Sequence, residues 1–432
     1  MRSSPFLFAF LLSLAAPSFS QSLSEADFSA RLGEARRAAL EKPADVYDRY
    51  PDMPATRRAE GIGISHSGDP FDIPNFSLPQ IAEMIKASGG TYYRPHLPLN
   101  LVLPSISKEQ MDKLRLAQKD PAVLDEMTAS LSREANWSRM DALVDAFTSR
   151  GVKVILVAGG GYRKEAPLYE GKNGREAISP DRLGRDLYVT AVKWIVGAGV
   201  RRYARKVEVW QVENEINVAA VHSLGNWRTH ELSWADKKFH YRLLTELSAV
   251  VHSEGARQGV SLKTTQNYAT QSAIGWEDYI RDARSCGIDI VGIDIYGNYL
   301  VGWPLLDEKA GEQIAAAKKA AGGLPVWVLE AGYSRAPAVR GFTPQRQTEY
   351  FKRFFDRAFR NGADVVLAFG WFWNPSGWFT DNGQPQWYEP MAAEPYWSPI
   401  EIRQDAQAGA GVIYHGAWDE FHKAAVKWTG AK

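Results

Sequence analysis

A (β/α)8 barrel is the architecture this sequence predicts, and three observations predict it. From residue 61 onward, short apolar, β-prone runs alternate with longer amphipathic runs, the alternation that builds parallel βα units. Eight such pairs can be marked before the chain ends, the number that closes a barrel. Polar and charged residues collect at the C-terminal tips of the apolar runs, the face on which barrel enzymes carry their chemistry. An open doubly wound sheet is the alternative. Its G-x-G-x-x-G fingerprint is missing, since Gly159-Gly160-Gly161-Tyr162 does not match it, and the chain holds no P-loop.

Taken in order, residues 1–20 read as a secretory signal peptide. Arg2 precedes an apolar run at 6–16, and the small residues Ser18 and Ser20 flank Phe19 before Gln21. The run is too short to span a bilayer as a permanent helix. Residues 21–59 form an N-terminal extension, with a helix at 23–41 followed by a Pro-rich passage, and residues 60–432 form the barrel. Its first strand starts at Gly61 and ends in Ser65 and His66. A helix at 78–88, a strand at 90–98 and a long insertion at 99–135 follow; the insertion is expected to carry short helices and to wall one side of a cleft. Then come a helix at 136–150, a strand at 152–161, a helix at 180–199 and a strand at 207–217. The remaining units pair helices at 234–255, 276–285, 307–321 and 344–361 with strands at 260–268, 288–296, 325–330 and 364–373. A helix at 418–428 closes the ring, after a long loop that follows the eighth strand.

The formal charge is +1, without a basic or acidic block. Neither a nucleic acid nor an anionic membrane is therefore indicated as a partner, and the mature chain is expected to be exported, to the periplasm or the medium, with no membrane span. The single cysteine, Cys286, rules out an intrachain disulfide framework and reads as a buried apolar residue. No His-x-His pair is present, so neither metal nor cofactor is expected. Fifteen Trp and eighteen Tyr, many beside Gly, Pro and Asn, suit a carbohydrate partner, because sugar rings pack their C–H faces on aromatic rings. Nothing in the pattern sets an oligomeric state.

The run Val-Glu-Val-Trp-Gln-Val-Glu-Asn-Glu-Ile-Asn at 207–217 is the leading catalytic candidate. Its apolar half is a strand, and its end crowds Glu213, Asn214 and Glu215 where desolvation is costly unless the groups bind or react. The other strand tips add His66, Arg94, His96, Gln266, Asn267, Asp294, Tyr296, Glu330, Trp371 and Trp373. Two carboxylic acids across one polar, aromatic cup are the apparatus for cutting a glycosidic bond. Glu215 and Glu330 are the chosen pair. For Glu330 the bland reading is a structural ion pair, with Arg335 as a partner.

Asn214-Glu215 ending a fourth strand and Glu330 ending a seventh resemble the clan A retaining glycoside hydrolases. The resemblance covers most of residues 60–430. It implies that Glu215 is the general acid/base, that Glu330 is the nucleophile forming a covalent glycosyl-enzyme, and that Asn214 binds the 2-hydroxyl. It further implies that Arg94 and Tyr296 keep Glu330 ionised and that Trp371 is the aromatic floor under the reacting sugar. Trp373, His96 and Asn267 are the further substrate-binding candidates, with Trp378, Trp387 and Trp397 as outer subsites. Within the clan, Gln211-Val-Glu-Asn-Glu is similar to family 35 β-galactosidases, whereas Leu329-Glu-Ala-Gly-Tyr is not. Family 5 endoglucanases and mannanases place a histidine shortly before the sixth-strand tyrosine; here Ile293-Asp294-Ile295 stands there. Glu213 is the rival acid/base. His66 and His96 are equally read as structural, and Gly159-Gly160-Gly161 as a tight βα turn. Two other classes remain open: a non-catalytic carbohydrate-binding barrel, and a transglycosylase sharing the covalent intermediate.

Overall fold

A computed structural model describes residues 54–66, 71, 77–159, 165–171, 174–219, 231–270, 276–297, 307–335, 343–370, 396–405 and 409–431. Eight parallel strands close a barrel: β1 (Gly61–Ser65), β2 (Tyr92–Arg94), β3 (Lys153–Val157), β4 (Val209–Gln211), β5 (Lys263–Ala269), β6 (Ile290–Tyr296), β7 (Val326–Gly332) and β8 (Val365–Phe369). Each strand pairs with its neighbours in sequence, and β1 closes the ring on β8, with Gly61 opposite Val365 and Ser65 opposite Phe369. All eight expected strands are present. The helices that alternate with these strands around the ring are α1 (Leu78–Ala87), α2 (Ser138–Thr148), α3 (Arg185–Tyr203), α4 (Lys237–Arg257), α5 (Trp276–Ala283), α6 (Asp307–Ala320), α7 (Pro344–Arg360) and α8 (Gly416–Ala424).

Local chemistry accounts for the helix starts. Ser77 precedes α1 and takes the Gln80 side chain on its backbone N–H at 2.8 Å, a capping box that satisfies donors the helix leaves open. Thr343 caps α7, accepting from the Arg346 N–H, and Pro344 fits the first turn. The expected helix at 180–199 is broken at Gly184, whose φ of 81° is open to glycine at little cost; the long piece starts beyond it and runs on to Tyr203.

Two apolar layers result. Inside the ring, Tyr92, Ile155, Val209, Ile290, Trp327, Leu329, Val365 and Leu367 fill the floor, so the barrel is a packed core below its mouth. Outside, the strand faces pack on the helices, where Leu143, Ile195, Leu244, Phe354 and Phe421 are all buried. Gly63 is demanded by this packing, since a Cβ there would lie 2.2 Å from the Tyr92 carbonyl oxygen.

The insertion after β2 carries helices Lys108–Ala117 and Pro121–Glu134. Both pack on α3, on the flank of the barrel, so the expected cleft wall is in the main a flank. The reason lies in α3, which buries residues around nearly its whole circumference, from Leu187 and Tyr188 to Val200 and Tyr203. A helix apolar on every side needs cover on every side. Gly197 lets the insertion come close, with Thr128 Cγ2 3.2 Å from where a Cβ would sit. The link from β3 to α3, to which the sequence pattern assigns no element, carries a hairpin, Leu168–Gly171 and Gly174–Ala177, which extends into a three-stranded sheet with Ser105–Ile106. After β8, strands Ile400–Asp405 and Gly409–Tyr414 pair antiparallel. Residues 1–20 and the expected helix at 23–41 lie outside the described residues. The end of the extension packs on the barrel: Arg57 donates to the Phe359 carbonyl at 3.1 Å and to Asp364 at 3.0 Å. Among the described residues, no helix is long and apolar enough to cross a membrane.

Candidate active site

Arg94 is the hub on which the strand tips converge. It ends β2, is fully buried, and spends its guanidinium on four partners. Nε donates to Gln211 Oε1 at 2.6 Å, Nη1 to Ser65 Oγ at 2.6 Å and to Glu330 Oε1 at 2.8 Å, and Nη2 to Asn214 Oδ1 at 2.6 Å. One cation thus ties β1, β2, β4 and β7 together. The Glu330 partner is Arg94; Arg335 donates instead to the carbonyls of Tyr396 and Ser398.

A bulge aims Glu330. Along β7, Val328 pairs with Ile293 and Glu330 with Asp294, so one extra residue sits in β7 where β6 advances by one. Strict alternation would turn residue 330 away from the interior face that Trp327 and Leu329 occupy; the extra residue re-aims it inward, a common use of bulges beside reactive groups. The other Glu330 oxygen, Oε2, accepts a short hydrogen bond from the Tyr296 hydroxyl. Burial and the neighbouring carboxylates push the Tyr296 hydroxyl well above its ordinary range, so it stays a donor. Gly332 makes room for the phenol, because a Cβ there would lie 2.7 Å from the Tyr296 ring. Trp397 backs the same ring at 4.3 Å between centroids, and Phe369 meets it edge-on at 5.5 Å. Trp397 is 1% exposed; it is a core support of Tyr296, and the outer-subsite expectation for it is corrected.

Glu215 follows β4 on the opposite side. Its φ of 41° makes it the one non-glycine residue with positive φ among the described residues, a conformation that costs of order 1 kcal/mol and persists only where surroundings hold it. Asn267 on β5 does the holding: its Oδ1 accepts from the Glu215 backbone N–H at 2.9 Å and from Gln211 Nε2 at 2.6 Å. Its Nδ2 donates to Asn214 Oδ1 at 2.9 Å and to Asp294 Oδ2 at 2.6 Å. Asn267 is fully buried, so its amide serves the web beneath the cup. Asn214 Oδ1 is likewise taken by Arg94 and Asn267.

Glu215, Asp294 and Glu330 each place an oxygen within 4.8 Å of the others. Glu213 is absent from that group. It is fully buried, accepts from the Asn214 N–H at 3.2 Å, and lies where a Cβ on Gly159 would come within 2.8 Å of its carboxyl carbon. Gly159 therefore makes room for Glu213 just past the end of β3. Asp294 was seen in the sequence as a strand tip, but its membership of the cluster was missed. The signal available was its place two residues before Tyr296, on the same face of β6. Burial and the charges of Glu330 and Glu215 hold its carboxyl well above the usual carboxylate range.

His96 lies beyond β2, bridged to Val157, with Nδ1 3.3 Å from Glu165. His66 follows β1 and packs on Tyr93 at 5.9 Å between rings. Burial first, and then the nearby His96, push the His66 imidazole down to about 3. The unfolded chain takes up this proton below the ordinary 6.5, whereas the folded chain refuses it until about 3, so stability is present above 6.5 and falls as pH drops through that window. The slope reaches about 1.4 kcal/mol per pH unit. Urea unfolding at pH 7 and pH 4.5 is expected to show a smaller acid loss for His66→Asn than for the native chain; equal losses would contradict a buried neutral imidazole. Trp371, Trp373, Trp378 and Trp387 lie outside the described residues.

No family model matches the chain, and no curated protein matches it in sequence. Solved structures do match in shape. The chain is similar to the β-glycosidase of the hyperthermophile Thermosphaera aggregans (12% identity, 87% of this chain and 97% of that one, TM-score 0.56). It is also similar to the monomer of a hyperthermophilic β-glucosidase mutant (12% identity, 86% and 100%, TM-score 0.53). A third is the exo-β-1,4-mannosidase Op5Man5 from Opitutaceae bacterium strain TAV5 (13% identity, 88% and 62%, TM-score 0.53). Likeness at this identity establishes the barrel fold.

Proposed function

We propose that the protein is a glycoside hydrolase cleaving β-linked sugars of an oligo- or polysaccharide by double displacement, with Glu330 as nucleophile and Glu215 as general acid/base. The observation that carries the reading is the approach of the two carboxyl groups, whose nearest oxygens lie within 4.8 Å across the barrel mouth. Retaining chemistry uses carboxyl groups roughly 5–5.5 Å apart, and inverting chemistry needs roughly 6.5–9.5 Å to seat a water. The β-glycosidases and the β-mannosidase that share the fold support the substrate class.

The chemistry follows from the contacts. Arg94 and Tyr296 each donate to a different oxygen of Glu330, stabilising its negative charge and orienting it for attack on the anomeric carbon. As that bond forms, Glu215 gives its proton to the leaving oxygen; it then takes one from water, which cleaves the glycosyl-enzyme ester. Asn214 offers Nδ2 to the 2-hydroxyl. Trp371, Trp373 and His96 bind the sugar, and no metal or cofactor enters the reaction. Residues 1–20 direct export and are removed, so the mature N-terminus is expected near Gln21; N-terminal sequencing that began at residue 1 would oppose this.

The acid/base role has its own test. Glu215→Ala is expected to lose on the order of 10²- to 10⁴-fold in turnover of an unactivated glycoside, with azide restoring much of it on an activated aryl glycoside and giving a β-glycosyl azide. An α-azide, or rescue of Glu213→Ala in place of Glu215→Ala, would reassign the residue.

A further inference from the structure

Asp294 has no place in the two-carboxylate scheme, yet it stands between its members. It lies on β6 in register with Glu330 on β7, is 1% exposed, and keeps an oxygen within 4.8 Å of both glutamates. Oδ2 receives the Asn267 amide at 2.6 Å. Oδ1 is fully buried and meets no hydrogen-bond donor among the described residues. Asp294 and Glu215 bring carboxyl oxygens within 4.8 Å of each other, and two ionised carboxylates are both acceptors and cannot bond to each other. The contact is satisfied only when one of them carries a proton. The charges facing the group argue the same way. Glu215 approaches from the end of β4, Glu330 from β7, and Arg94 from β2, where it is already committed to Glu330; Tyr296, from β6 itself, is a neutral donor to Glu330. Three negative charges against one guanidinium in a buried cup are not sustained, and like charges at this distance keep a proton on one member. Of the pair, Asp294 is the more deeply buried, Glu215 being half-buried.

We propose that Asp294 is a positioning residue that stays protonated and donates its hydrogen bond to Glu215. The inference rests on the reading of Glu215 as acid/base. Asp294 keeps its proton through both steps. When Glu215 has handed its own proton to the leaving group, the Asp294 O–H supports the carboxylate that remains and holds it, with the strained backbone at φ 41°, facing the water it must activate. The burial of Asp294, together with the charges of Glu330 and Glu215, raises its carboxyl well above the usual carboxylate range, the direction that favours keeping the proton.

The test uses Asp294→Asn, which keeps shape, an acceptor for Asn267 and a donor for Glu215, against Asp294→Ala, which removes all three. First, the infrared difference spectrum of native protein minus Asp294→Asn at pH 7 is expected to contain the carbonyl stretch of one neutral carboxylic acid. An ionised carboxylate band in its place would overturn the proposal, whatever the protein hydrolyses. Second, Asp294→Ala is expected to lose on the order of 10²-fold in kcat/KM on a substrate whose leaving group needs protonation. On an aryl glycoside with a good leaving group the loss should stay below about tenfold, and Asn should recover at least tenfold of what Ala loses. Equal losses on both substrates, or an Asn variant as impaired as Ala, would mean a role outside Glu215. A neutral-acid band in a protein inert towards every glycoside would instead keep the proton assignment and discard the glycosidase reading. Thermal unfolding of both variants separates loss of fold from loss of the donor.

Discussion

Glu330→Gln is expected to abolish turnover, by roughly 10⁴-fold or more, about 5.5 kcal/mol in the barrier, while the barrel stays folded. Glutamine matches the shape of the native residue; its Oε1 can still accept from Arg94, while its Nε2, a donor, can give to the Tyr296 hydroxyl oxygen, so the pocket keeps its outline and loses its nucleophile. Circular dichroism and the thermal transition should confirm folding. Steady-state rates on activated and unactivated glycosides should fall together, because the missing bond is needed with either. A variant retaining more than about a tenth of native activity would be incompatible with covalent catalysis at this position.

Arg94→Met carries the second large expected effect, and it is on stability. The guanidinium is fully buried and bound to four partners. Removing it strands the Glu330 charge in a desolvated site and leaves Gln211, Ser65 and Asn214 each short of a donor. Breaking a buried ion pair from one side costs about 3–5 kcal/mol. Adding Glu330→Gln to Arg94→Met is expected to restore part of that loss, because the stranded charge is then gone; the double variant would be more stable than the sum of the singles by about 1–3 kcal/mol. Denaturant unfolding of the two singles and the double measures this coupling. Strict additivity would mean that the Arg94 contact with Glu330 contributes nothing beyond its neutral hydrogen bonds.

Both predictions depend on contacts that differed in how legible they were. Strands such as Lys153–Val157 and Val365–Phe369 were legible because their runs are short, apolar and rich in β-branched residues, and the barrel followed from the number of such units. The insertion's position was not read, because it depends on α3 being apolar on all sides, a pattern visible in the sequence but without an obvious partner. Arg94 and Glu330 came together through resemblance; no local pattern links the tips of β2 and β7. The bulge that turns Glu330 inward left no mark on a run that reads as a continuous strand. Asn267 stood out as a polar strand tip, but its use depends on four partners from β4, the turn after it and β6. Trp397 was grouped with loop tryptophans by its neighbours in sequence, whereas its place is fixed by Tyr296 and Phe369.

The central claim is that Glu330 becomes covalently attached to the sugar. The most direct measurement is mechanism-based labelling of the protein with a panel of 2-deoxy-2-fluoro glycosides carrying good leaving groups, followed by peptide mass mapping. The fluorine slows both transition states and the leaving group speeds the first step, so the intermediate accumulates. The account predicts a single labelled peptide with the sugar on Glu330, and the reagent that succeeds names the glycone. A label on Glu213, Glu215 or Asp294 would contradict the assignment, and binding of glycans without any label would point to a carbohydrate-binding barrel without this chemistry.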